Sequence, residues 1–459
     1  VDQHEQIESV VRLARALHDV DWGDWTLSAL RGLVDARPGW SLGEPGPFDV
    51  MIRPGTGERD VIVSTGKHGP EATRYGWASV PLPASLHEPE AFAALVQALQ
   101  GVGAPVPHRG TAAAPGLRWR DDRRVMILQR NAKSVWLAVH PAPVSYVGEV
   151  AAALHDIEHG PWTLEDLRAL ADARPGWELD GDLLRVGGGE FPCGRGRVRL
   201  LEYAEGASLE QRRAAFGDLF DAVVGGIGDP TLYGGSADGP GVRWRNEHRL
   251  LMLRGDRRGV WLESHPTEEI ENEEYRTFEW GGAWNASEPS DFGHLPYIWQ
   301  LDREGPGDNP VFWPGGRLAT SMKHLREALE LLLTAFAEQL PAQIGNEWAT
   351  FQIRSRAGAG RIVVTFDPGR LNVYAYDRAE DDPDDKAALM RDRGWQELER
   401  GCWRTSFPHP DDASAAEAAR LMVDELEARG AVDPAEDLFS ADVSCNDYGW
   451  FRLTGLGVG

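Results

Sequence analysis

A duplication constrains this chain more than any other feature. Residues 18–40, HDVDWGDWTLSALRGLVDARPGW, and residues 155–177, HDIEHGPWTLEDLRALADARPGW, share 15 identities in 23 positions at an offset of 137. A second block closes each copy: GLRWRDDRRVMILQRNAKSVWLAVHP at 116–141 answers GVRWRNEHRLLMLRGDRRGVWLESHP at 241–266, now at an offset of 125. Two blocks in the same order, with a shorter middle in the second copy, mark a repeated supersecondary unit. The expected units are residues 1–142 and 143–267.

Each copy opens with apolar positions at the helical period: Val10, Leu13, Ala14 and Leu17, then Val147, Val150, Ala151 and Leu154. Thr26 and Thr163 are placed to cap a second helix, and Asp166 completes a capping box in the second copy. Pro38 and Pro175 end that helix, because proline has no N–H for the ladder and biases the preceding residue toward extended geometry. Alternating strand pairs follow, FDVMIRP with DVIVST and DLLRVGG with GRVRLLEY. A long helix comes next, with Phe92, Leu95, Val96 and Leu99 on its apolar face, and Phe216, Leu219, Phe220 and Val223 in the second copy. Three short strands close the unit. The predicted fold class is α+β, built of repeated antiparallel β-sheet units covered by helices.

From 268 to 320 the regular pattern fails. Residues 268–308 carry 11 acids against 2 bases, and the segment is rich in Trp, Gly and Pro. It reads either as an acidic connecting segment or as aromatic cover for a neighbouring domain, which the cost of hydrating Trp280, Trp284, Trp299 and Trp313 favours from Phe278 onward. Residues 321–459 form a third α+β domain. Leu325, Leu329, Leu332, Phe336 and Leu340 define a helix expected to stop at Pro341, and three strands follow. A final long helix is expected to open at Ser414-x-x-Glu417.

The charge balance, 47 Lys and Arg against 72 Asp and Glu, is −25. Such a chain repels phosphate backbones and anionic membrane surfaces, so neither nucleic acid nor membrane is an expected partner. A basic protein is. Residues 379–459 hold 19 acids against 8 bases, which concentrates the field toward the C-terminal half. The opening stretch VDQHEQIESVVRLARALHD has no apolar signal region, and LELLLTAFA is too short to span a bilayer. Cys193, Cys402 and Cys445 stand too far apart for a CxxC site or a disulfide framework. The expected location is cytoplasmic.

No catalytic constellation emerges, and no cofactor or metal is expected. His155 and His159 are four apart, but the duplication replaces the second with Trp22 in the first copy. The run Asp381-Asp382-Pro383-Asp384-Asp385 lacks calcium-loop spacing, so it reads as a solvated turn. His140-Pro141 and His265-Pro266 read as strand stops. The enzyme alternative is a hydrolase drawing on the repeated His18, Asp19, His155 and Asp156, which lack a nucleophile. A further alternative is a structural scaffold without a regulated partner.

Tryptophan is the informative residue, at 18 of 459. Trp136 and Trp261 each sit between two apolar residues of a strand, hence on the opposite sheet face. An outward indole serves either inter-domain packing or a partner. With Trp284 and Trp299 of the acidic segment, these two are the candidate partner-binding residues. Arg118, Arg120, Arg243 and Arg245 flank Trp119 and Trp244 and are free to pair with acids of that segment or of a partner.

The succession of a helix, W-x-L, GW, a long helix and V-R-W-R resembles an uncharacterised actinobacterial domain family. That family looks related to the type III secretion chaperone-like group that includes YbjN-type proteins. Arg393-Gly394-Trp395, Cys402-Trp403 and the last helix look like the C-terminal part of the same group. The resemblance implies a helix-plus-twisted-sheet fold that binds other proteins, as a chaperone, accessory or immunity-type protein for a secreted or toxin polypeptide. It brings no catalytic residues.

Overall fold

The computed structural model describes residues 3–18, 26–45, 49–53, 60–64, 77–103, 105–111, 114–120, 124–130, 135–141, 146–157, 159–284, 288–302, 318–344, 348–358, 360–367, 370–376, 384–399, 402–408, 410–445 and 450–459. Asp19, Trp22, Trp25, Trp313 and the run Asp381-Asp382-Pro383 lie outside these residues.

The first unit runs α1 (Gln3–His18), α2 (Leu27–Asp35), β1 (Ser41–Leu42), β2 (Asp49–Arg53), β3 (Val61–Ser64), β4 (Trp77–Pro81), α3 (Pro89–Leu99), β5 (Val106–Thr111), β6 (Ala114–Arg120), β7 (Arg124–Arg130) and β8 (Val135–Pro141). The second unit repeats that order. It runs α4 (Tyr146–His155), α5 (Leu164–Asp172), β9 (Trp177–Asp180), β10 (Leu183–Val186), β11 (Gly189–Gly194), β12 (Arg197–Glu202), α6 (Leu209–Ile227), β13 (Tyr233–Gly235), β14 (Gly241–Arg245), β15 (Arg249–Gly255) and β16 (Gly259–Pro266). Strand order in the first sheet is β1-β2-β3-β4-β8-β7-β6-β5, and in the second β9-β10-β11-β12-β16-β15-β14, with β13 bridged to β14 through Leu232 and Arg243. All these neighbours are antiparallel.

Local chemistry repeats as well. Thr26 accepts from the Ala29 N–H, and Thr163 from Asp166, whose carboxylate returns the bond to the Thr163 N–H at 2.8 Å. After each of these helices Gly39 (φ 86°) and Gly176 (φ 82°) adopt the left-handed conformation that a side chain disfavours. Arg37 and Arg174 then lie over Trp40 and Trp177 at 5.3 and 5.4 Å. The indoles of Trp119 and Trp244 donate to backbone carbonyls just past the long helices, those of Val102 and Gly228. Every apolar position expected on the first long helix is buried; on the second, Phe216, Phe220 and Val223 are buried and Leu219 is half-buried.

Beyond the second unit, α7 (Thr267–Glu279) forms where the sequence showed no regular pattern, and β17 (Trp299–Asp302) follows. The third region contains α8 (Met322–Ile344), β18 (Ala349–Ser355), β19 (Arg361–Asp367), β20 (Arg370–Tyr376), α9 (Asp384–Asp392), β21 (Glu397–Glu399), β22 (Cys402–Pro408), α10 (Asp412–Ala428), α11 (Pro434–Asp437), β23 (Leu438–Cys445) and β24 (Trp450–Arg452). Its main sheet is ordered β21-β22-β20-β19-β18-β23. A small sheet, β13-β17-β24, stitches the second unit, the acidic segment and the C-terminus together. One continuous core accordingly spans the second unit and everything after it, while the first unit has its own.

Two helix limits differ from expectation. α8 continues through Pro341, which leaves the Ala337 carbonyl without its helical donor; the Arg213 guanidinium supplies one from α6 at 3.3 Å. α10 begins earlier than Ser414, because Asp411 is the cap and accepts from the Ser414 N–H at 2.8 Å. Among the described residues no helix is long and apolar enough to cross a membrane.

Candidate functional site

The acidic segment is anchored by its own carboxylates. Glu274 on α7 meets Arg243 on β14 at 2.8 and 3.1 Å, and Glu271 meets Arg245 at 2.6 and 3.1 Å. Both arginines thus pair with acids of the segment, one of the two expected outcomes. The Tyr297 hydroxyl closes the site against Arg243, whose guanidinium stands 4.5 Å from that ring. Burial works against the charge on Arg243, yet Glu274 and the Tyr297 hydroxyl hold its pKa above the ordinary arginine value. Burial likewise pushes the Tyr297 phenol up to about 12. These ion pairs, together with the burial of Phe278, fix α7 against β14 of the second sheet.

The four candidate tryptophans separate into different environments. Trp299 is fully buried on the central strand of the small sheet, its rings against Phe336 and Phe451 and its Nε1 donating to Gln339 Oε1 at 2.7 Å. It is a core residue, which corrects its assignment as a partner anchor. Trp261 does stand on the face opposite Val260 and Leu262, but it is only 9% exposed. Arg197 lies 4.4 Å over its ring, and Arg199 and Arg254 flank it in register, so this assignment is corrected too. Trp136 is half-buried on β8. Trp284, at 87% exposed, is the most open large apolar side chain among the described residues.

Trp284 is not alone. Tyr275 on α7 and Trp280 at its C-cap are 43% and 46% exposed. Of these three accessible aromatic side chains within ten residues, the sequence singles out Trp284 alone as a partner anchor; Trp280 reads there as cover, and Tyr275 falls in a stretch without a regular pattern. Beside Trp284, residues 282–284 and 288–294 and the first turns of α8 line an open groove of about 920 Å³. Its walls include Glu288, Asp291, Phe292, His324 and Glu327. The His324 ring packs on Phe292 at 4.9 Å; its Nδ1 accepts the Thr320 N–H at 3.2 Å, so its Nε2 donates to the Ser290 carbonyl at 2.7 Å. Asp291 holds His294 at 2.9 Å and accepts the Gly293 N–H at 3.1 Å. Glu327 lies 3.7 Å from Lys323.

The hydrolase candidates do not converge on such a site. α4 ends at His155, so His155 and His159 do not share a helix face; His159 pairs instead with the capping-box Asp166 at 3.2 Å. Asp156 lies 3.8 Å from Arg174, and the His155 carbonyl accepts from Arg249 at 2.8 Å. Among the described residues no group of three or more His, Cys, Asp or Glu could hold a metal ion. None of the three cysteines is in a disulfide, and burial pushes Cys193 up to about 11.

No family model and no curated protein matches the chain. Among solved structures, the H. pylori beta clamp in complex with 5-chloroisatin is 8% identical, covering 90% of this chain and 87% of its own, at a TM-score of 0.09. The same clamp in complex with diflunisal is 7% identical, covering 95% and 84%, at a TM-score of 0.10. Similarity at that level carries no argument about fold or function.

Proposed function

We propose that this chain is a non-enzymatic protein-binding module, a chaperone, accessory or immunity-type protein acting in the cytoplasm on a basic secreted or toxin polypeptide. The observation that carries the reading is Trp284, 87% exposed in an acid-rich segment with Tyr275 and Trp280 close by in sequence. An indole left in water is costly unless something covers it part of the time, and aromatic side chains are the commonest anchors of protein interfaces. The net charge of −25 would steer a basic partner toward this surface, and that steering weakens as salt screens it over about 8–10 Å. The resemblance to the secretion chaperone-like group supports the same reading.

The test is affinity capture from the source cells at low and moderate salt, with the wild-type chain and with W280A/W284A. The reading expects a basic polypeptide held by the wild type, partly released by salt and lost with the double variant. Capture that is indifferent to both tryptophans would reject it.

A further inference from the structure

Resting on that reading, we infer that the groove beside Trp284 receives an arginine side chain from an extended segment of the partner, its guanidinium stacked on the exposed indole. Three features of the molecule select that occupant. The first is charge: Glu288, Asp291 and Glu327 line the groove against one lysine, Lys323, so a cation is favoured although the N-terminal end of α8 opens there. The second is a contact that recurs at three other indoles of this chain. Arg37 covers Trp40, Arg174 covers Trp177 and Arg197 covers Trp261, at 5.3, 5.4 and 4.4 Å. Trp284 has no such arginine among the described residues, and its face is open to one from outside. A planar, weakly hydrated guanidinium both stacks on an indole and forks onto carboxylates, which an ammonium does less well.

The third feature is Ser290. It lines the groove, is 5% exposed, and its Oγ has no hydrogen-bond partner. A buried hydroxyl without a partner carries a desolvation cost that an incoming N–H donor would offset. The Phe292 and His324 rings lie alongside as an apolar wall for the methylene stem of the arginine.

The probe is the pentapeptide acetyl-Gly-Gly-Arg-Gly-Gly-amide, titrated into the full chain carrying 5-fluorotryptophan and followed by fluorine NMR. The Trp284 resonance is identified by its loss in W284F. The inference expects that resonance to shift saturably with the arginine peptide. Affinity should fall by about two- to five-fold for the isosteric citrulline peptide, the fold-change corresponding to one exposed cation–π contact, and it should fall also for E288Q/E327Q, which removes two of the carboxylates. An unmoved resonance, or an equal response to citrulline, overturns it. So does a shift produced by inorganic phosphate instead, which would make the groove an anion site at the start of α8. If the captured partner still requires Trp280 and Trp284 while the arginine peptide is silent, the protein-binding reading stands and the arginine assignment falls.

Discussion

Removing Glu274 should loosen α7 from the body of the protein. In the wild type Arg243 is 1% exposed and donates two bonds to Glu274, at 2.8 and 3.1 Å, with the Tyr297 hydroxyl as its remaining side-chain partner in the site. E274A would leave a guanidinium buried beside a phenol without its carboxylate partner. Breaking a buried pair from one side costs about 3–5 kcal/mol, whereas replacing both partners by apolar groups is close to neutral. Urea unfolding of E274A should show a midpoint about 1–2 M below wild type, taking a slope of about 3 kcal/mol/M. R243M/E274M should recover most of that loss. Amide exchange resolved by segment should place the early opening in residues 267–279, since those are the residues the pair retains. A cost for E274A under about 1 kcal/mol, or a double variant as unstable as the single one, would refute the reasoning.

Glu263 supplies a pH test. Burial pushes its pKa up, but the His265 bond and the charges of Arg254 and Arg197 outweigh burial and hold it below the usual glutamate value. Its contribution is therefore present above the unfolded carboxyl's pKa of about 4.3 and is lost as pH falls through the lower folded value, so E263Q should cost stability at pH 7 and little at pH 3 in thermal unfolding. Burial of Cys402 and Cys445, and the raised pKa of the half-buried Cys193, predict that the native chain resists Ellman's reagent at pH 8 and yields three thiols in guanidinium; fast reaction of Cys402 or Cys445 in the native state would contradict its placement. G176A has open space around the added methyl, so its cost isolates the left-handed backbone at φ 82° and should be about 1–2 kcal/mol by urea titration.

What the sequence made legible was what rests on local spacing. The stripes Val10-Leu13-Ala14-Leu17 and Leu325-Leu329-Leu332-Phe336-Leu340 lie buried, and Thr26 and Thr163 cap the helices they precede, because periodicity and capping involve neighbours along the chain. What escaped depended on partners far away. α7 was invisible to hydrophobic periodicity because much of its buried face is carboxylate, Glu271 and Glu274, stabilised by arginines some thirty residues earlier. Pro341 failed to end α8 because Arg213 satisfies the carbonyl it orphans. The strand Gly189–Gly194 carries glycine and proline and has no strand signature of its own; its neighbours β10 and β12 impose its conformation. Trp299 and Trp284, fifteen residues apart and alike in sequence setting, diverge because Gln339 on α8 receives one indole while the other stands 87% exposed.

The most direct measurement is photo-crosslinking inside the source cells from a light-activated amino acid placed singly at positions 275, 280 and 284, with positions 164 and 432 as controls. Leu164 and Val432 are exposed apolar side chains outside the acidic segment, so they report non-specific encounters. The account predicts an adduct from 280 and 284 to one basic polypeptide, weaker at 275, and none from the controls. Adducts that are absent at all three aromatic positions, or as strong from 164 and 432, would contradict it.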